Sequence, residues 1–411
     1  MKIIFYLLVC FQILYAAAQG PYQINIDLTA SKEDRLYVVM NLPDIQEDTV
    51  EFHLPKIVPG TYRISDFGRF VHTFNAFDHL ENTLEVSEIS TNRWLISGKP
   101  SRVEYWIDDT FDRMEGYDED FIFEPGGTSF EADRNVFVLN NFGIIGYIDG
   151  YKEVPFELNI IHSKDTYGAT ALEKNVQNDT LDIYFAADYN FLVDGPIMYN
   201  QPDTLTKNIA GAEILISVFS PQKVVSAHDI MENIEDLMVA QSNYLGGTLP
   251  VKKYAYLIYL MDYESLSKAM GALEHSYSSF YTLPESVADQ LPQFVRDVAA
   301  HEFFHIVTPL SIHSEQIHNF NYITPEMSRH LWLYEGITEY NSIHMQVQQG
   351  LYDMETFLEE IQEKITNASV YPLVSFTKMS QKILEPEFKD MYRNVYEKGA
   401  LIGVCLDLAL I

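Results

Sequence analysis

The segment HEFFH, residues 301–305, contains the residue types best suited to catalysis at a short and regular spacing. On a helix, His301 and His305 stand four positions apart and lie on one face, one turn from each other. Two imidazoles placed in this way can bind one tetrahedral Zn²⁺, and Glu302 can reach an attacking water without binding the metal itself. The same segment is also compatible with a helix that carries two structural histidines, so other parts of the chain must decide.

A catalytic zinc commonly has a carboxylate as its third protein ligand, and the segment LWLYEG offers one. Glu335 follows His305 by 30 positions in an apolar helical context, where an unpaired carboxylate is costly unless it binds a metal. Glu339 lies one turn later and is the competing candidate; its alternative role is to support a ligand or to face solvent. The sequence therefore predicts one Zn²⁺ per chain on His301, His305 and Glu335, with Glu302 as general base.

The elements that would position these residues lie in the second half of the chain, where the apolar spacing becomes helical after about Ser226. A strand-like run precedes the HEFFH segment, and Pro309 stops the helix that contains it. The predicted strand is Tyr254–Met261. The predicted helices are Asp229–Tyr244, Leu291–Val307, Arg329–Val347 and Met354–Asn367. The last residues, from Leu401, are apolar and lack a capping residue, which predicts a truncated fragment of a longer protein; the alternative is a buried C-terminal helix.

The first half reads as all-β, because short alternating runs recur between turns rich in Pro, Gly, Asn and Asp. The predicted strands are Tyr22–Leu28, Leu36–Leu42, Thr49–Leu54, Arg93–Ile96, Val103–Ile107 and Leu181–Phe185. We therefore predict an α+β protein with a signal peptide (1–19), an N-terminal β-domain (20–220) and a catalytic domain of small sheet plus helices (221–411).

The first residues have the pattern of a secretory signal peptide, with Lys2 before an apolar run and a small-residue cleavage site at residues 16–18. We therefore expect export to the periplasm or the extracellular space, and no membrane span in the mature chain. Cys10 would be lost with the leader, which leaves Cys405 as the single thiol and excludes an intramolecular disulfide. Such a protein must be stabilised by its core, a bound metal, or both.

The overall charge excludes some partners. The formal net charge is −32, with 59 acidic and 27 basic residues. This balance argues against nucleic acid and anionic membrane surfaces, which both require clustered Lys and Arg. A weak attraction for cationic groups such as a peptide amino terminus is one interpretation, and a solvated surface that resists aggregation is the other.

Several segments together resemble the glycyl aminopeptidase family of gluzincin zinc metallopeptidases, whose members often carry a C-terminal PDZ domain. The resemblance rests on HEFFH with LWLYEG, on their interval, on GALEH (271–275), on YEKGALIGVCLDLAL (396–410) and on LPKIVPGTYRISDFGRFV (54–71). It implies a thermolysin-like catalytic domain and removal of N-terminal residues, Gly or Ala by preference, from peptides with a free amino terminus. The chain lacks the basic run that many members carry after the second histidine, which affects the expected specificity.

The resemblance also implies roles for residues beyond the metal ligands. Glu274 would pair with the free amino terminus of the substrate, and His275 would be a neighbouring substrate contact. Tyr396 would donate its hydroxyl to the oxyanion, with Tyr392 one turn earlier as the rival donor. The competing functions are a zinc endopeptidase on the same scaffold and a non-catalytic peptide-binding protein with a structural metal.

Overall fold

The computed structural model describes residues 20–111, 121–268 and 270–410, and these residues form two compact units. The first unit comprises residues 20–56, 65–111, 121–202 and 265–268, and the second comprises residues 57–64, 203–264 and 270–410. The predicted signal peptide lies outside the described residues. None of the described helices combines the length and the apolar character needed to cross a membrane.

The first unit is built from β-strands, which confirms the all-β character predicted for the N-terminal half. Apart from 3₁₀ turns, its described helix is the short α1, Tyr189–Val193. Its strands are β1 Tyr22–Asp27, β2 Arg35–Asn41, β3 Thr49–His53, β4 Val71–Phe77, β5 Glu85–Ser90, β6 Arg93–Ser97, β7 Arg102–Asp108, β8 Ser129–Glu131, β9 Val136–Leu139, β10 Tyr147–Ile148, β11 Phe156–Ile161, β12 Tyr167–Ala169, β13 Glu173–Asn178, β14 Leu181–Ala186 and β15 Ile197–Asn200.

Three sheets arrange these strands. The largest has the order β13-β14-β11-β1-β2-β7-β4, and the two four-stranded sheets have the orders β10-β3-β6-β5 and β12-β15-β9-β8. Residues of β1 and β2 alternate between buried and accessible, which is the pattern of strands that cover a core with one face. The alternation that predicted these strands from the sequence therefore has a direct structural cause.

The second unit has one five-stranded sheet. It comprises β16 Thr204–Ile209, β17 Ala212–Phe219, β18 Lys253–Met261, β19 Gly271–His275 and β20 Ser278–Pro284, in the order β16-β17-β18-β20-β19. The central strand β18 pairs in parallel with both neighbours and is buried along nearly its whole length, as expected of a strand covered on both faces. Strand β19 pairs antiparallel with β20 and lies at the edge of the sheet.

Helices complete the second unit and confirm the α+β class. They are α2 Ala227–Tyr244, α3 Leu291–Glu302, α4 Glu315–His318, α5 Leu331–Gln348, α6 Met354–Ala368, α7 Phe376–Gln381, α8 Pro386–Lys389 and α9 Asn394–Leu410. Helix α2 begins with a capping box, in which Ser226 and Asp229 satisfy each other's backbone N–H groups. Helices α5 and α9 approach closely enough that a Cβ on Gly336 would lie 2.4 Å from the Cα of Gly399.

The helix predicted to run through the HEFFH segment to Val307 is shorter than expected. Helix α3 ends at Glu302, and residues Phe303–Ile306 form a 3₁₀ turn. The backbone of Phe303 keeps helical angles, with φ −64° and ψ −32°, so only the hydrogen-bonding pattern tightens. The two histidines consequently remain on one side of the continuing chain.

Candidate metal centre

Helix α3, the 3₁₀ turn after it and helix α5 bring two imidazoles and one carboxylate together. The Nε2 atoms of His301 and His305 are 3.2 Å apart. The Oε2 atom of Glu335 lies 3.4 Å from the Nε2 of His301 and 3.6 Å from the Nε2 of His305. All three side chains are buried, and their ligand atoms converge on one point.

The donor set fits a tetrahedral divalent ion. Zinc bonds of about 2.0–2.2 Å place neighbouring ligand atoms roughly 3.3–3.6 Å apart in a tetrahedron, which agrees with the observed separations. The Nδ1 of His305 lies 2.9 Å from the carbonyl oxygen of Thr308, which can only accept, so this nitrogen carries the proton and Nε2 presents a lone pair. Burial lowers the pKa of His305 to about 4, which keeps the ring neutral. Lone pairs of His305 and Glu335 thus face a shared position.

Glu302 stands beside the three donors without joining them. Its side chain is buried, and no described group hydrogen-bonds its Oε2. Burial and the carboxylates of Glu335 and Glu339 raise its pKa, while the neighbouring His301 lowers it. A buried carboxylate with an available oxygen and a raised pKa has the properties of a general base.

Glu339 lies behind His301 rather than opposite both histidines. Its Oε2 is 2.8 Å from the Nδ1 of His301, on the side of the ring that faces away from His305. Burial raises the pKa of Glu339, but hydrogen bonding to His301 and the charge of Lys364 lower it to about 2. The geometry thus places Glu335 at the point shared by the two rings and Glu339 in contact with one of them.

Both tyrosines considered from the sequence lie near this centre. The ring of Tyr396 is 5.6 Å from that of His301, and its hydroxyl contributes to lowering the pKa of Glu335. The hydroxyl of Tyr392 is 2.7 Å from that of Tyr396. Tyr396 therefore lies next to a predicted metal ligand, whereas Tyr392 contacts Tyr396.

The edge strand β19 brings Glu274 to the same place. Carboxylate and imidazole atoms of Glu274, Glu302 and His305 lie within 4.8 Å of one another. His275 is buried on the opposite face of β19, because successive residues of a strand point to opposite sides. The structure therefore groups Glu274 with the predicted site but places His275 away from it.

The segment 57–64 supplies two residues that the sequence analysis did not single out. Gly60 has φ +84°, a conformation that favours glycine, and a Cβ on it would lie 2.8 Å from an oxygen of Glu274, so that carboxylate would have to shift. Tyr62 has φ +46°, an uncommon conformation for a bulky side chain, and its ring lies 5.5 Å from that of Tyr392. Burial and the nearby Glu335 and Glu274 raise the pKa of Tyr62 well above its usual range.

Two models of one peptidase family match the chain. Residues 23–201 match the model of the peptidase M61 N-terminal domain, and residues 294–402 match that of the M61 glycyl aminopeptidase. Together the two matches cover more than half of the chain. The chain belongs to the M61 glycyl aminopeptidase family, which confirms the resemblance seen in the sequence.

Solved structures with the same fold include an aminopeptidase N family protein from Idiomarina loihiensis. It has a TM-score of 0.79 and 19% identity, over 95% of this chain and 66% of that protein. This chain thus spans slightly less than two thirds of that protein. An M1 zinc metallopeptidase from Deinococcus radiodurans, bound to a Tyr-Ser-Ala substrate, has a TM-score of 0.53 and 12% identity, over 93% of this chain and 81% of that one. No curated protein matched the chain.

Proposed function

We propose that this protein is a zinc-dependent aminopeptidase that hydrolyses N-terminal residues from peptides. The observation that carries the proposal is the convergence of His301, His305 and Glu335 within 3.2–3.6 Å, beside a buried glutamate that does not join them. Membership of the M61 family and the M1 zinc metallopeptidase fold neighbours support the same chemistry.

The mechanism assigns one role to each side chain. His301, His305 and Glu335 would hold the ion, which when bound supplies Lewis acidity and lowers the pKa of water toward neutrality. Glu302 takes a proton from the attacking water as its oxygen bonds to the peptide carbonyl carbon, and then gives that proton to the nitrogen as the C–N bond breaks. The hydroxyl of Tyr396 donates to the oxyanion that forms.

The preference for a free amino terminus rests on Glu274. Its carboxylate lies close to Glu302 and can pair with a substrate ammonium group, while the edge strand β19 can pair its backbone with an extended peptide. A zinc endopeptidase on the same scaffold would not need this charge. We also propose a preference for N-terminal Gly or Ala, from the family, and export of the mature chain, from the pattern of residues 1–19.

Two variants separate the candidate functions when tested on matched peptides with free and acetylated amino termini. Glu302→Gln should lower kcat by about 10²–10⁴-fold and leave zinc content unchanged, because only the proton transfer is removed. Glu274→Ala should raise KM for free termini and scarcely affect acetylated peptides.

Other results would point to the alternatives. Equal effects of Glu274→Ala on both peptides would support an endopeptidase. If the wild-type protein loaded with zinc hydrolysed no peptide, the proposal would be contradicted, and a non-catalytic peptide-binding function would be favoured instead.

A further inference from the structure

Most residues of helix α6 are accessible to solvent. Of its residues Met354–Ala368, only Ala368 is fully buried. The less exposed residues besides Ala368 are Thr356, Phe357, Glu360, Ile361 and Lys364. Among them, Phe357, Ile361 and Lys364 lie with Ala368 at helical spacing on one face. A lysine therefore occupies a position on this face where an apolar residue is expected.

The ammonium group of Lys364 is directed at carboxylates of two other helices. It lies 2.5 Å from Oε1 of Glu339 on α5 and 3.8 Å from Oε2 of Glu397 on α9. The three side chains are only 13–19% exposed. An ion pair this far from solvent is screened weakly and requires good geometry to offset the loss of hydration.

The two oxygens of Glu339 have different partners. Oε1 accepts from Lys364, and Oε2 faces the Nδ1 of His301 at 2.8 Å. A carboxylate that accepts the Nδ1–H of a ligating histidine fixes both the orientation of the ring and the tautomer that leaves Nε2 available. Lys364 thus connects to a predicted metal ligand through a single carboxylate.

We propose that Lys364 is a positioning residue for the metal centre: it holds the Glu339 carboxylate on His301 and thereby orients the Nε2 lone pair toward the ion. The inference rests on the proposed zinc function and extends it to a helix that contributes no ligand. Without the lysine, Glu339 would be a buried carboxylate near Glu335 and Glu302, and it would no longer be held against the Nδ1 of His301.

The test is the zinc affinity of the full chain, measured by competition with a chelator of known affinity. Lys364→Met should weaken zinc binding by about 10–100-fold, the usual effect of losing a residue that supports a metal ligand. The matched control is Lys389→Met, which removes an exposed lysine of the same unit and should leave the affinity unchanged. A direct electrostatic effect would have the opposite sign, because removing positive charge near a cation site favours the cation.

A double-variant cycle identifies the route of the effect. In a Glu339→Gln background, Lys364→Met should have little further effect on zinc affinity, because the residue through which it acts is already changed. The stability of the metal-free variants shows whether they fold. An unchanged or tighter zinc affinity in Lys364→Met, or an undiminished loss in the Glu339→Gln background, would overturn the inference. A wild-type chain that binds no zinc would instead overturn the proposed function on which it rests.

Discussion

Buried carboxylates occur in both units, and Asp182 of the first unit differs from the glutamates of the second in the source of the compensating positive charge. In the first unit, which we call the β-unit, Asp182 is 1% exposed and is surrounded by donors from its own unit. The ammonium group of Lys174 lies 2.7 Å from its Oδ2, and the hydroxyls of Tyr199 and Tyr184 donate to the same oxygen at 2.9 and 3.2 Å. His162 lies 3.5 Å away.

The second unit groups its acidic residues differently. Glu302, Glu335 and Glu339 are all assigned to one buried centre, and of these three Lys364 contacts Glu339. His305 is neutral and offers a lone pair. Burial lowers the pKa of His301, but hydrogen bonds to Glu335 and Glu339 raise it well above its usual range, so in the metal-free protein this ring carries positive charge. Asp182 is therefore neutralised by a lysine of its own unit, whereas the carboxylates of the second unit face an imidazole that can exchange its proton for a metal ion.

The largest expected effect is on stability, and it follows from removing the lysine that compensates the buried charge of Asp182 in the β-unit. Lys174→Met leaves Asp182 buried without its cation and should lower the free energy of unfolding by about 3–5 kcal/mol. Urea denaturation, with hydrogen exchange read at the amides of β14, measures the loss in the correct unit. Lys164→Met, which removes an exposed lysine of the same unit, is the control and should cost less than about 0.5 kcal/mol. An equal loss in both variants would argue against a special role of the buried pair.

The matching change in the second unit should act mainly on metal binding. Burial raises the pKa of Glu335, but His305 and His301 lower it overall, so Glu335→Gln should cost the metal-free protein some stability, though less than Lys174→Met costs. Zinc affinity should fall by at least 100-fold, about 3 kcal/mol, since a ligand is worth more than a residue that only orients one. Chelator competition and thermal unfolding of the two forms measure these effects. A metal-free variant destabilised as much as Lys174→Met would mean that the two units compensate their buried charges to the same extent.

The smallest expected effect is a loss of stability at acid pH. Burial raises the pKa of Asp182, but His162 and Lys174 lower it to about 2. Since the folded pKa is below the unfolded value of about 3.9, the stabilisation is complete above about pH 5 and is lost as the pH falls toward 2. The loss should amount to about 2 kcal/mol and can be followed by urea unfolding at each pH. Asp182→Asn should flatten this part of the profile, and an unchanged profile would assign the acid sensitivity elsewhere.

The sequence alone predicted those parts of the site that depend on local periodicity. Positions i and i+4 of one helix share a face, so the pairing of His301 with His305 could be read directly, and an apolar helical context indicated Glu335. The contact between Lys364 and Glu339 could not be read in this way, because it joins two helices whose packing depends on the whole unit. The positions of Gly60 and Tyr62 were equally hidden, since no local signal shows that residues 57–64 belong to the second compact unit.

In the fold, too, elements with a clear local pattern were predicted and elements without one were missed. Strands that alternate, such as β1, β2, β6, β7 and β14, were predicted to within one or two residues. Strand β9 was missed because all four of its residues are buried and show no alternation, and β10 has only two residues. The end of α3 was misplaced because a 3₁₀ turn continues the helical path without changing the pattern of apolar residues.

Metal analysis of purified protein, combined with X-ray absorption at the zinc edge, tests the central claim most directly. The account predicts about one zinc per chain in a shell of imidazole nitrogen and carboxylate oxygen at roughly 2.0–2.2 Å, and loss of the metal in the double variant His301→Ala/His305→Ala. A wild-type protein that takes up no zinc, or a double variant that keeps a full equivalent, would contradict the assignment of this centre.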